Sequence, residues 1–145
     1  MSDPRVRALR LRLRELADEE HAAVHRAYHK SELAFHGLRT PALRAILRQV
    51  FPARPRLERQ EVLALVDELW PGQWFEERSA ALWLLGRAAR ELGTADLPRL
   101  RRMTRDCQGW AHLDELAVNV LGPLALAHGD AVYQPVRGWT SPRYS

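Results

Sequence analysis

Thr-Pro-Ala-Leu-Arg-Ala-Ile-Leu-Arg-Gln-Val, residues Thr40–Val50, decides how the rest of the chain reads. Threonine before proline predicts a helix start, with the Thr40 hydroxyl capping backbone N–H groups and Pro41 at the first helical position. Leu43, Ile46, Leu47 and Val50 recur at helical spacing, so they share one face and are expected to be buried. Pro52 and Pro55 end the segment. The same period runs outward in both directions. Toward the N-terminus, Val6, Leu9, Leu13 and Leu16 fit a helix, although Leu9, Leu11 and Leu13 also alternate like a strand. Leucine, arginine and alanine favour the helix, and there is no β-branched run. A second helix is expected from Asp18, with its early acids at the positive end of the helix dipole. Ser31–Arg39 reads as a connector.

Toward the C-terminus, Leu57–Leu69 carries Val62, Leu65, Val66 and Leu69 on one stripe, and Trp70-Pro71-Gly72 breaks it. Phe75–Leu92 is the most apolar helix, expected to be buried on more than one side and to stop at Gly93. Thr94 or Asp96 could cap the next, with Leu97, Leu100 and Met103 inward. Trp110–His128 is predicted helical with an interruption at Gly122-Pro123. A last helix opens at Asp130, with Val132 and Val136 inward and Trp139 near its end. After Leu16 no strand-like alternation appears, and the helices come in pairs of about 40 residues. The expected fold is all-α, a HEAT-like helical repeat (α-solenoid) forming a partial superhelix of about 6–8 helices. A compact irregular bundle fits the same periodicity.

Composition narrows the function classes. At 145 residues, a single domain spanning 1–145 is expected, and 46% hydrophobic with 28% charged residues places it among globular chains rather than disordered ones. Lys and Arg number 22 against 18 Asp and Glu, a formal charge of +4, and Lys30 is the only lysine. Guanidinium groups suit phosphate contacts, though biased genome composition accounts for the larger share of the arginine excess. Cys107 stands alone, so no intrachain disulfide can form, which fits a reducing compartment. No apolar run approaches the roughly 18 residues of a membrane span, and no secretory signal opens the chain, so no membrane partner and a cytoplasmic location are expected.

Trp110 and Asp114 lie four residues apart, about one helical turn, so indole and carboxylate share a face. Such a pair can hold a cation, or can be a packed tryptophan beside a surface acid. Arg39, Arg44 and Arg48, with Thr40, cluster at the start of the Thr40–Val50 helix, as a phosphate-binding edge or as a solvated face. His21, His25 and His29 recur one turn apart, and a solvated polar face is expected rather than a metal site. Glu76, Glu77 and Arg78 are expected to form a structural ion-pair cluster, Trp70, Trp74 and Trp83 to pack, and Cys107 to be a small core residue. No Gly-rich phosphate loop, zinc spacing or nucleophile elbow is present.

Three segments, in order, carry a resemblance. Phe-His-Gly-Leu-Arg-Thr-Pro-Ala-Leu-Arg (Phe35–Arg44) is similar to a Phe-x-Gly-Val/Ile-x-Thr-Pro-x-x-Arg signature. Glu-Leu-Trp (Glu68–Trp70) with Glu-Arg-Ser-Ala-Ala-Leu (Glu77–Leu82) matches a second, and Trp-Ala-His-Leu-Asp (Trp110–Asp114) a third. Over residues 18–140 the chain resembles the AlkD-like DNA alkylation repair glycosylases, which are built from HEAT-like repeats. The resemblance implies a concave, positively charged surface gripping duplex DNA that contains alkylated bases. It implies excision of N3- or N7-alkylated purines without flipping the lesion into a pocket. Asp114 would be the catalytic aspartate and Trp110 the tryptophan packed at the lesion. Arg39 falls where relatives place a DNA-contacting residue, and Arg44 is the motif arginine. Members of the family are longer, and Gly138–Ser141 resembles the lead-in to a Trp-x-x-Arg stretch that would supply a further catalytic-site arginine. The expectation is therefore a C-terminally truncated member, with dimerisation possible through the face where the next repeat would dock, and with a non-catalytic DNA-binding module or a protein scaffold as competing readings.

Overall fold

The structure, a computed structural model, describes residues 2–140. Nine α-helices follow one another among them: α1 Pro4–Glu15, α2 Glu19–His29, α3 Thr40–Val50, α4 Arg59–Leu69, α5 Phe75–Arg87, α6 Leu97–Asp106, α7 Trp110–Leu116, α8 Gly122–His128 and α9 Asp130–Arg137. Apart from one isolated bridge between Ala34 and Trp74, the described residues contain no strand pairing. The fold is an all-α helical repeat, the expected class.

Side-chain caps open the first two helices. Asp3 accepts from the Arg5 N–H at 2.8 Å with Pro4 leading α1, which settles the ambiguous N-terminal segment as a helix. Asp18 accepts from the His21 N–H at 3.0 Å and opens α2. Thr40 departs from expectation: it is the first helical residue, Arg39 occupies the cap position, and neither side chain caps. A guanidinium has no acceptor with which to cap. The long apolar stretch from Phe75 breaks at Ala88 into a 3-10 turn, Ala89–Glu91, well before Gly93. The predicted interruption of the Trp110–His128 segment is a π-helical turn, Ala117–Leu121, immediately before Gly122-Pro123. Proline lacks an N–H and its ring would strike the carbonyl four residues back, and the wider turn relieves that clash.

Val6, Leu9 and Leu13 of α1 are fully buried and pack toward Leu43, Ile46 and Leu47 of α3. The same apolar cluster continues through Leu65, Val66 and Leu69 of α4, Leu82, Leu84 and Leu85 of α5 and Leu100 of α6 to Val132 and Trp139. Each such leucine contributes roughly 2 kcal/mol by leaving water. A smaller cluster of Ala22, Leu33 and Phe35, capped by Phe75, fastens α2 to α5. No helix among the described residues is long and apolar enough to cross a membrane.

Candidate nucleic-acid interface

The Ser31–Arg39 connector is fastened on several sides. The Ala34 N–H donates to the Gln73 carbonyl at 2.7 Å, and the Ala34 carbonyl accepts from the Phe75 N–H at 2.9 Å. The His36 carbonyl accepts from the Asp18 N–H at 2.8 Å. Glu76, only 1% exposed, accepts from the N–H groups of His36 at 3.0 Å and Gly37 at 3.1 Å. Gly37 has a φ of 89°, and a Cβ there would lie 2.6 Å from the Ala22 nitrogen and closer still to the Asp18 carbonyl oxygen. Only glycine allows α2 and the connector to approach so closely. The start of α3, and with it Arg39 and Thr40, is therefore set by a carboxylate from α5.

Glu76, Glu77 and Arg78 do not form the mutual ion-pair cluster expected from sequence. Consecutive helical residues diverge by about 100° and cannot meet side chain to side chain. Glu77 pairs with Arg10 at 3.1 Å. Arg78 donates to the carbonyls of Gly72 and Asp106 and lies 4.8 Å from the Trp70 ring. All three are buried and structural. Trp70 packs as expected, its indole N–H donating to Asp106 at 3.1 Å, and Trp74 stacks on His36 at 3.8 Å. Burial pushes the Cys107 thiol up to about 11, as suits a packed rather than a reactive cysteine.

A groove of about 400 Å³ opens where α3, α5 and α7 converge beside α2. Leu43, Leu47, Phe75 and Trp83 supply apolar lining; Thr40, Arg44, Glu115 and Asn119 supply polar groups. His25 and His29 enter it from α2. The three α2 histidines are not the solvated face expected: all are partly buried, and His29 stacks on Phe75 at 4.9 Å and Phe35 at 6.0 Å. Burial lowers His25 and His29 below the usual imidazole range, with His21 and His29 adding to the effect on His25. No cluster of metal-ligating side chains forms among the described residues. His112, buried between α7 and α5, faces Ser79 at 3.0 Å and Phe75 at 4.3 Å. Burial pushes it down to about 4 and keeps it neutral.

Trp110 stands at the groove mouth, 52% exposed, braced by Tyr28 at 5.9 Å and His29 at 5.5 Å. Gly109, with a φ of 110°, turns the chain sharply into α7 just before it. Asp114 lies one turn further along α7, exposed, its carboxylate with no hydrogen bond or ion pair among the described residues. It does not line the groove; the neighbouring Glu115 does. Burial raises Glu115 to about 7, with the positive charge of Arg44 acting against the shift. Arg39, Arg44 and Arg48 are all exposed and make no ion pair among the described residues. Arg44 and Thr40 line the groove, Arg39 lies near enough for its charge to depress His25, and Arg48 extends the row one turn along α3 without lining it. The structure thus gathers Trp110, Thr40 and Arg44 at one opening, with Arg39 at its edge and Asp114 beside it.

The family model for the DNA alkylation repair enzyme matches residues 9–143. The chain belongs to that family. No curated protein sequence matches it. Membership in the DNA alkylation repair enzyme family gives the chain a role in DNA repair and makes DNA its partner. For a family member, an exposed tryptophan and free guanidiniums around one opening are the groups expected to meet a polyanion. Glu115 and His112 were missed by sequence reasoning, and Glu76, read as part of an ion-pair cluster, instead anchors the connector. The signals for Glu115 and His112 were weak: an acid beside Asp114 and a lone histidine both read as ordinary surface or core.

Proposed function

We propose that this protein excises N3- or N7-alkylated purines from duplex DNA by hydrolysing the N-glycosidic bond, working in the cytoplasm as a HEAT-like array that does not draw the lesion into a pocket. One observation carries the reading: a half-exposed indole and an unpaired carboxylate stand one turn apart on α7, beside the arginine-bearing start of α3. An alkylated purine is a cationic leaving group. When its C–N bond breaks, the electron pair goes to the base and the sugar becomes an oxocarbenium-like cation. Asp114 stabilises that cation and steers water to the sugar carbon, where the new C–O bond forms and a proton is lost. Trp110 packs on the deoxyribose and excludes bulk water from one side. Arg39, Thr40, Arg44 and Arg48 hold the backbone phosphates. The leaving base carries its own charge, so neither a metal nor an organic cofactor enters these steps.

One observation favours a second reading, a non-catalytic DNA-binding module: Asp114 is solvated beside the groove rather than within it. Release of 7-methylguanine from duplex DNA by the native chain and by Asp114→Asn separates the two. Excision lost in the variant supports the glycosylase. Equal release removes Asp114 from the mechanism. Salt-sensitive DNA binding with no release by either protein favours the binding module, and no DNA affinity at low salt favours a protein-interaction scaffold. We extend the proposal to self-association through the C-terminal end, which exposes Val118, Leu126 and Tyr133; sedimentation over a concentration series tests it.

A further inference from the structure

We propose that Glu115 is an internal competitor of DNA phosphate for Arg44, so that gripping DNA is coupled to uptake of a proton by Glu115. The inference rests on the reading that the α3 edge meets DNA. Glu115 on α7 and Arg44 on α3 line the same groove, and neither makes a hydrogen bond or ion pair among the described residues. Around them lie the apolar side chains of Leu43, Leu47 and Trp83. A carboxylate in such surroundings costs free energy unless a cation compensates it, and Arg44 is the cation whose charge reaches it. Glu76, the other acid lining the groove, is already engaged by the N–H groups of His36 and Gly37.

The remaining facing groups are His25 and His29 from α2, Arg39 beside His25, Thr40 on α3, Ser79 on α5, and His112 and Asn119 from the α7 segment. Burial lowers all three of these histidines, so they charge in a more acidic range than free imidazole. Glu115, raised to about 7, is then the groove residue that changes charge around neutrality. While ionised it is compensated by the nearby charge of Arg44 across the groove. A phosphate bound to Arg44 removes that compensation and adds a negative charge nearby, and both effects drive a proton onto the carboxyl.

The test is duplex-DNA affinity by fluorescence anisotropy, across about pH 6.5 to 8 at fixed ionic strength, for the native chain, Glu115→Gln and Arg44→Gln. Uptake of one proton weakens native binding by about tenfold over that interval. Glu115→Gln is expected to bind with little pH dependence and, near pH 8, about tenfold more tightly than the native chain. A Glu115→Gln profile that keeps the native slope overturns the proposal. If the native chain binds no DNA at any pH, the reading of the α3 edge fails, and NMR titration of the Glu115 carboxyl in the free protein decides the inference separately. A higher titration midpoint in Arg44→Gln than in the native chain supports the pairing; an unchanged midpoint overturns it.

Discussion

Replacing Glu76 by alanine should loosen the start of α3 from a distance. Glu76 is 1% exposed and receives two backbone N–H groups, His36 at 3.0 Å and Gly37 at 3.1 Å. Each charge-assisted bond is worth about 1.5–3 kcal/mol, and alanine leaves both donors buried without an acceptor. Losing the buried charge recovers part of its own desolvation cost, so the expected net loss is about 3 kcal/mol rather than the full sum. For a chain of this size that corresponds to a Tm lower by about 10 °C. Urea denaturation read by circular dichroism should show a lower midpoint with an unchanged slope, since the same surface is exposed on unfolding. Glutamine keeps one acceptor oxygen but turns an NH₂ group toward the second donor, so its loss should fall between alanine and the native chain. A Glu76→Ala protein melting within about 2 °C of the native one would refute the idea that this carboxylate anchors the connector.

Three further outcomes follow from the same structure. Gly37→Ala should cost about 2 kcal/mol or more in denaturant unfolding, because positive φ and the clash with α2 act together; a loss below about 0.5 kcal/mol contradicts the close approach. His112 is held at about 4 in the fold, below its ordinary 6.5, so the unfolded chain takes its proton first and this contribution to stability drains away as pH falls through that window. Glu115, raised to about 7, has the opposite slope, stabilising at low pH and losing that contribution as pH rises; unfolding in a Glu115→Gln background should therefore expose an acid loss of up to about 3 kcal/mol, which His112→Phe abolishes. Arg44→Ala and Arg48→Ala should each reduce the slope of log affinity against log salt by about 1 on any duplex sequence, and unchanged slopes would remove them from the phosphate contacts.

Helix periodicity is a local property, and it was legible. Leu43, Ile46 and Leu47 mark α3, Val62 through Leu69 mark α4, and Pro123 marks the interruption after α7. What escaped depends on partners distant in sequence. Glu76 looks like part of an ion-pair cluster with Glu77 and Arg78, yet it serves a connector 40 residues earlier. His21, His25 and His29 look like a polar stripe until Phe35 and Phe75 arrive beside two of them. At the candidate site, spacing placed Trp110 and Asp114 on one turn, but which α7 carboxylate enters the groove turns on a rotation of about 100° per residue against α3 and α5. That rotation is fixed by packing, and it selects Glu115.

The proposed function puts DNA across the face shared by the start of α3 and α7. Hydrogen exchange with and without a duplex carrying 7-methylguanine tests it most directly. New protection is expected at the start of α3 and along Trp110–Leu116, with α1 and α4 unchanged. Protection confined to the arginines of α6, leaving α3 and α7 unaltered, would contradict it.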